Sequence, residues 1–214
     1  MIRSNNLGIK KTVSIALMTA VICVLSPFAI AIPMSPVPIT LTTFAIYLTA
    51  IILGGVDGLI SVIVYVLLGF AGAPVFTGFT GGALKVLGPT GGYIIGYIFL
   101  AIVEGAFVEM VRARSARPYE SEGEGRSYDS ERTHHYEKGK SRSTSLLIFL
   151  GILLGTIVLY IFGTLWLAKQ AGMSLVAAFF AGVLPFVVGD IIKMIAALFV
   201  GTKVRNILLK NNLI

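Results

Sequence analysis

Two ionisable side chains, Asp190 and Lys193, lie in an otherwise apolar stretch, VVGDIIKMIAAL at 187–198. Residues three apart share one face of a helix, so both side chains are expected to point the same way. Burying an ionised group in apolar surroundings is costly unless it is paired or hydrogen-bonded. The pair is therefore either an ion pair that fixes helix packing or a ligand site that offers an acceptor and a cationic donor. In both cases the shared face should look into the protein or a cavity.

A third ionisable group, Glu104, lies in another apolar stretch. We expect it to make a hydrogen bond to a neighbouring helix, and a proton relay with the Asp190–Lys193 pair is the alternative. Enzyme chemistry has little support, because His134 and His135 are adjacent in a polar segment, Cys23 is the only cysteine, and no G-x-S-x-G motif occurs. The sequence predicts no enzyme activity, no metal site and no cofactor.

The stretch GAPVFTGFTGGALKVLGPTGGY, at 72–93, is rich in glycine and proline and predicts an irregular loop with little regular helix. It is not a phosphate-binding loop, since its last glycine is followed by tyrosine rather than by Lys-Ser or Lys-Thr. Gly81 and Gly82 would let the backbone approach a ligand closely. Phe76, Phe79 and Tyr93 could form apolar walls for the same ligand, or they could be ordinary anchors at a membrane interface.

The composition indicates the environment of these groups. Of the 214 residues, 56% are hydrophobic and 13% are charged, and the mean hydropathy is +0.91. A soluble domain carries about 25% charged residues. The length allows about six spans of roughly 20 residues each. We therefore predict an all-α polytopic membrane protein with six transmembrane helices, forming one integral membrane domain over 1–214, whose surroundings are the lipid bilayer and which binds no nucleic acid.

Apolar runs predict the six spans and their connections, and the spans are 12–33, 40–54, 57–73, 92–112, 145–168 and 185–204. The second and third meet at LGGVDG, which predicts a tight turn. Pro185 favours a helix that begins there, because proline is tolerated in the first turn. The segment MSLVAAFFAGVL before it is then a short interfacial helix or a lid-like loop.

Charge distribution predicts the orientation. The polar segment 113–143 has almost no aliphatic side chains, so we predict a disordered linker between the fourth and fifth helices. Apart from Lys193, every lysine and arginine except Lys85 and Lys169 lies near this linker or near a terminus. The positive-inside rule then makes the linker and both termini cytoplasmic. On this topology the Asp190–Lys193 pair lies in the outer part of the last helix and Glu104 in the inner half. The alternative of a cleaved signal peptide is disfavoured, because the first apolar run is too long.

The first span contains SIALMTAVI, in which Ala16 and Ala20 are four residues apart. Small residues at this spacing let two membrane helices approach closely. The partner could be another helix of this chain or a helix of another subunit.

Four ordered motifs, PMSPVPITLTTFAIYL, GAPVFTGFTGG, LGPTGGYIIG and LPFVVGDIIK, resemble those of the BioY family, the biotin-binding S component of energy-coupling-factor (ECF) transporters. The resemblance covers essentially all the spans. The chain departs from the family pattern at Thr42, where glutamine is usual, at Val188, where a second proline is usual, and in its long polar linker.

The resemblance implies a six-helix vitamin-binding protein that captures biotin with high affinity and is closed on the outside by loops. It implies that Asp190 and Lys193, with the loop residues already named, contact biotin, and that Ala16 and Ala20 contact a transmembrane coupling subunit, which works with two ATPase subunits. The expected location is the cytoplasmic membrane of a prokaryote. The alternatives are another small vitamin as ligand, or a proton-coupled carrier or channel that uses Glu104 with the charged pair.

Overall fold

The structure is a computed structural model that describes residues 2–33, 35–116 and 130–211, with side chains for 8–33, 35–114 and 144–211. It contains eight helices and two short strands in these ranges. In chain order they are α1 (Ile2–Leu25), β1 (Ala29–Ile30), β2 (Ile39–Thr40), α2 (Thr42–Leu53), α3 (Gly55–Phe70), α4 (Ala83–Leu87), α5 (Gly91–Ala116), α6 (Ser130–Ala171), α7 (Leu175–Gly182) and α8 (Leu184–Lys210).

Six apolar helices form the bundle, in agreement with the predicted all-α membrane fold. By length and hydropathy, α1, α5, α6 and α8 are each able to cross a membrane. The other two, α2 with 12 residues and α3 with 16, are shorter apolar helices. Every residue of α2 except Phe44 is buried. A helix that is hydrophobic all round belongs in the interior, so α2 is the central helix of the bundle.

The first helix is shorter at its C-terminal end than the sequence predicts. The apolar run predicts a span to 33, but α1 ends at Leu25, so that boundary is wrong. Pro27 explains the difference, because a proline disfavours helical geometry in the residue before it. The Ser26 N–H donates to the carbonyl of Ile22 at 2.9 Å and closes the last turn. The chain then forms a small antiparallel hairpin, in which β1 pairs with β2.

The tight turn predicted between the second and third spans is confirmed. Only Gly54 separates α2 from α3, and its φ of +95° is a conformation that glycine adopts at little cost. A Cβ at this position would lie 1.9 Å from Nη1 of Arg112, so a side chain would also collide with α5. The next residue, Gly55, packs directly on the backbone of Gly105, where a Cβ would lie 3.0 Å from the carbonyl oxygen.

The helices of the C-terminal third also agree with those predicted from the sequence. The segment before the last span is a short helix, α7, whose N-terminal cap is Ser174, with its Oγ accepting from the N–H of Ala177 at 3.2 Å. Helix α8 begins at Leu184 and carries Pro185 in its first turn. The glycine-rich loop is irregular as predicted, except that residues 83–87 form one turn of helix, α4.

The polar linker is described only at its edges. Helix α5 continues to Ala116 and α6 begins at Ser130, so both helices enter the predicted 113–143 segment. Residues 117–129 and the side chains of His134 and His135 lie outside the described part of the chain. A disordered linker therefore stays a prediction.

Candidate ligand-binding site

A cavity opens at the end of the bundle opposite the two termini. Its volume is about 600 Å³, including its open mouth. The walls come from the β1–β2 hairpin, the N-terminal parts of α2, α5 and α8, the C-terminal parts of α3, α6 and α7, and the glycine-rich loop. The lining residues are Val37, Pro38, Thr40, Thr43, Tyr65, Phe76, Thr77, Thr90, Tyr93, Ile94, Tyr97, Leu159, Tyr160, Gly182, Phe186, Asp190 and Lys193.

The charged pair of α8 lies on the wall of this cavity. Nζ of Lys193 is 2.8 Å from Oδ1 of Asp190, and the two side chains are only 13% and 6% exposed. The opposite face of α8 carries exposed aliphatic side chains, among them Val188 and Ile192. The helix therefore presents its apolar face outward and its charged face inward, as the cost of placing an ionised group in lipid requires.

Two residues that the sequence analysis did not single out complete the polar wall. The hydroxyl of Tyr160, on α6, donates to Oδ2 of Asp190 at 2.5 Å. Nζ of Lys193 also lies 3.5 Å from Oγ1 of Thr43, on α2. Helices α2, α6 and α8 thus meet at one polar cluster, which we call the charged cluster and define as Asp190, Lys193, Tyr160 and Thr43. The only sequence signal for Tyr160 and Thr43 was that a tyrosine and a threonine occur in apolar helices.

Aromatic rings, among them Phe76 and Tyr93, form part of the cavity wall, and a ligand contact from either stays a prediction. Phe76 is 1% exposed and packs edge to face on Tyr65, with 5.6 Å between the ring centroids. Gly69 makes room for this ring, since a Cβ there would lie 2.1 Å from Phe76 Cζ. The hydroxyl of Tyr93 donates to the carbonyl of Gly182 at 2.9 Å and so ties α5 to the end of α7.

Three predicted loop residues, Phe79, Gly81 and Gly82, do not line the cavity. Phe79 is 62% exposed and packs edge to face on Phe28 of the preceding loop. A Cβ at Gly81 would lie 2.2 Å from the carbonyl oxygen of Ala73. The N–H of Gly82, which has a φ of +93°, donates to a carbonyl at the end of α3. These residues shape the loop, and a ligand contact from any of them stays a prediction.

A buried hydroxyl cluster supports the cavity from below. Oγ of Ser26 lies 2.7 Å from Oγ1 of Thr42 and 2.5 Å from the hydroxyl of Tyr65. Ser26 directly follows α1, Thr42 begins α2 and Tyr65 lies near the end of α3, and each is 1% exposed or less. The departure from the family pattern at Thr42 therefore falls at a buried contact between three helices.

Glu104 is fully buried in α5, away from the cavity wall. Neither of its carboxylate oxygens has a hydrogen-bond partner among the described side chains and backbone. The expected hydrogen bond to a neighbouring helix is therefore wrong. An ionised carboxylate without a partner in an apolar interior is strongly disfavoured, so the neutral acid is the form that fits this position.

The small residues of α1 face away from the bundle. Ala16 and Ala20 are both exposed, in line with the exposed side chains of Ile9, Val13 and Val24. We call this stripe the outer face of α1. The alternative in which the two alanines pack against another helix of the same chain does not agree with this geometry.

Comparison with known proteins gives consistent matches. The sequence model of the BioY family matches residues 2–210. A probable biotin transporter BioY of Pyrococcus horikoshii is 33% identical over 82% of this chain and 85% of its own length. The biotin transporter BioY of Rhizobium etli is 34% identical over 79% of this chain and 78% of its own. A crystal structure of the S component for biotin from an ECF-type ABC transporter superposes with a TM-score of 0.74 at 28% identity, over 94% of both chains.

Proposed function

The chain belongs to the BioY family, and we propose that it captures biotin and delivers it for uptake as the substrate-binding subunit of an ATP-driven ECF transporter. The family match spans nearly the whole chain, and the relatives named above are transporters or transporter components. The protein is thus a membrane transport component rather than an enzyme.

The observation that carries the proposal is the charged cluster on the wall of a cavity whose other lining residues are uncharged. Biotin offers two N–H donors and a carbonyl acceptor in its ureido ring, and a carboxylate at the end of its aliphatic tail. Asp190 can accept an N–H, and Lys193 can donate to the carbonyl or to the carboxylate. The cavity therefore presents both an acceptor and a cationic donor, which the ligand needs together.

The surroundings of the pair make this recognition selective. Asp190 already accepts from Tyr160 at 2.5 Å and from Lys193 at 2.8 Å, so its carboxylate is held in one orientation before a ligand arrives. Fixing a group in its bound geometry lowers the cost of binding. A ligand that lacks the matching donors would leave a buried carboxylate or ammonium poorly paired, which is a large penalty.

The remaining wall suits the ring and the tail of the ligand. Phe76, Leu159 and Phe186 supply apolar surface, and so do the hairpin residues Val37 and Pro38.

Transport also requires partners, because the sequence has no phosphate-binding loop for ATP. We propose that the outer face of α1 docks on a transmembrane coupling subunit, which links this protein to two ATPase subunits. Small residues at positions 16 and 20 permit close approach of a second helix, and helix association in lipid depends on such packing. The basic ends of α1 and α8 support a cytoplasmic location for both termini and an outward mouth for the cavity.

Biotin binding to the purified protein in detergent tests the proposal. We expect biotin to raise the melting temperature and to titrate with one site per chain, while thiamine and riboflavin do neither. Asp190→Asn should weaken biotin binding by about 30-fold or more, since truncating a buried charged contact costs roughly 2–5 kcal/mol. The matched control is Asp57→Asn, which removes an ion-paired carboxylate at the other end of the bundle and should leave affinity unchanged. Equal binding by both variants would contradict the proposed site.

A further inference from the structure

Two arginines meet the last turn of α2 at the end of the bundle that carries both termini. Nη1 of Arg205, on α8, donates to the carbonyl of Ile51 at 3.1 Å. Nη2 of Arg112, on α5, donates to the carbonyl of Ile52 at 3.4 Å. Because the acceptors are consecutive residues, both guanidinium groups contact the same turn of α2. The carbonyl groups at the C-terminal end of a helix attract cations. This attraction accounts for one positive charge at the end of α2 more easily than for two.

The carboxylates at this end do not balance the two arginines. Glu109 lies 3.5 Å from Arg112, is half-exposed, and also accepts the N–H of Gly55 at 3.1 Å. Asp57 is paired with a lysine of α1 at 2.9 Å. Among the side chains that the structure describes, Arg205 forms no ion pair with a carboxylate. The two arginines therefore have one carboxylate between them at ion-pair distance, Glu109, and it contacts only Arg112.

The arginines also retain donors for a further ligand. A guanidinium has five N–H groups in a planar fork. The hydrogen bonds above use one donor atom of Arg205 and two of Arg112, and Nε of Arg112 is buried without a partner. The Arg112 side chain as a whole is 27% exposed, so it is not closed off from the surface. The chemistry that would use these donors is an anion with several oxygens.

We propose that Arg112 and Arg205 form a binding site for a phosphate group, and that this group is the headgroup of an anionic phospholipid. The guanidinium fork matches the oxygens of a phosphate in geometry and charge. Basic pockets between membrane helices bind such headgroups. The location favours lipid over a soluble ion, because α5 continues to Ala116 and α8 to Lys210 beyond the arginines, while α2 ends at Leu53. The two arginines thus lie beside the end of α2 and within the longer α5 and α8, at the end of the bundle where headgroups are expected.

The test compares melting temperatures of the purified full chain in nanodiscs of phosphatidylglycerol and of phosphatidylcholine. We expect phosphatidylglycerol to raise the melting temperature by about 5 °C, as mass action at a saturated site requires. Arg112→Gln with Arg205→Gln should abolish most of this rise. The matched control is Lys203→Gln with Lys210→Gln, which removes two exposed charges from the same end and should keep it. The single variant Arg205→Gln should lose about half of the rise and serves if the double variant does not fold.

A second arm uses inorganic phosphate in detergent at matched ionic strength. No effect of phosphate, with the lipid effect lost only in the arginine variants, supports the proposal. A rise with phosphate that the arginine variants lose supports the site but makes its ligand a soluble ion, which overturns the lipid assignment. If the lysine control loses the rise in melting temperature to the same extent, the effect is one of general surface charge. If neither the lipid nor phosphate raises the melting temperature, the proposed site does not exist.

Discussion

Removing one charge of the Asp190–Lys193 pair and then both distinguishes a ligand site from a packing device. Lys193→Met keeps the length of the side chain but leaves the Asp190 carboxylate, 6% exposed, without its cation at 2.8 Å. Breaking a buried pair in this way destabilises a protein by about 3–5 kcal/mol. The hydrogen bond from Tyr160 remains and reduces the loss.

Asp190→Asn combined with Lys193→Met removes both charges. The effect on stability should then differ from the effect on biotin binding. Replacing a whole buried pair by neutral groups is often neutral or stabilising, so we expect the melting temperature of the ligand-free protein to return to near that of the wild type. Biotin binding should not return, because the neutral side chains supply neither the charged acceptor nor the cationic donor. The affinity loss should be at least as large as in either single variant, roughly 2–5 kcal/mol or about 30-fold to several thousand-fold.

The assay is a thermal melt without ligand and a calorimetric biotin titration, applied to the wild type, both single variants and the double variant. Restored stability with lost binding is the expected result. Restored stability together with restored binding would refute the reasoning, because the pair would then act only in helix packing. A double variant that is as unstable as Lys193→Met would show that the asparagine is also poorly accommodated between α6 and α8.

Three further predictions follow from the geometry of single residues. Phe76→Leu should weaken biotin binding by about tenfold or more, because it removes a buried ring from the cavity wall, whereas Phe79→Leu should change the affinity by less than about twofold in the same titration. Ala16→Trp with Ala20→Trp should leave biotin binding intact in isolation but prevent co-purification with the coupling and ATPase subunits; lost binding with retained assembly would place the alanines inside the bundle. Glu104→Gln should keep biotin affinity and uptake, since the amide resembles the neutral acid; loss of uptake with normal binding would instead support a proton-coupled role.

Glu104 and Asp190 are both buried carboxyl groups, but their surroundings differ. Asp190 has a cation and a tyrosine hydroxyl as partners and lies on the cavity wall. Glu104 has no hydrogen-bond partner among the described residues, although both carboxyls are almost fully buried. Burial by itself therefore does not indicate function, and the paired groups of the cavity are the ones to which we assign the proposed role in binding.

The sequence by itself determined the membrane class of the protein, the apolar helices, the tight turn at Gly54 and the inward face of α8. These features depend on local information. Hydropathy over about 20 residues decides whether a helix is stable in lipid. The helical period places Asp190 and Lys193 on one face, and the cost of an ionised group in lipid turns that face inward. Pro185 and Pro27 set helix ends through steric effects on their immediate neighbours. The effect of Pro27 was recognised only after the structure showed where α1 ends.

Only the tertiary structure decided which residues from different helices meet. Tyr160 and Thr43 join the charged pair through contacts across 30 and 150 positions of the chain, and no spacing rule connects residues so far apart. The loop residues Phe76 and Phe79 differ by three positions, yet one is buried on the cavity wall and the other is exposed, because Gly69 makes room for a single ring. The hydrogen-bond partner expected for Glu104 also depended on contacts between helices. Which side chain faces it depends on how α5 packs against its neighbours, and that packing is set by the shapes of whole helix faces rather than by the sequence around one residue.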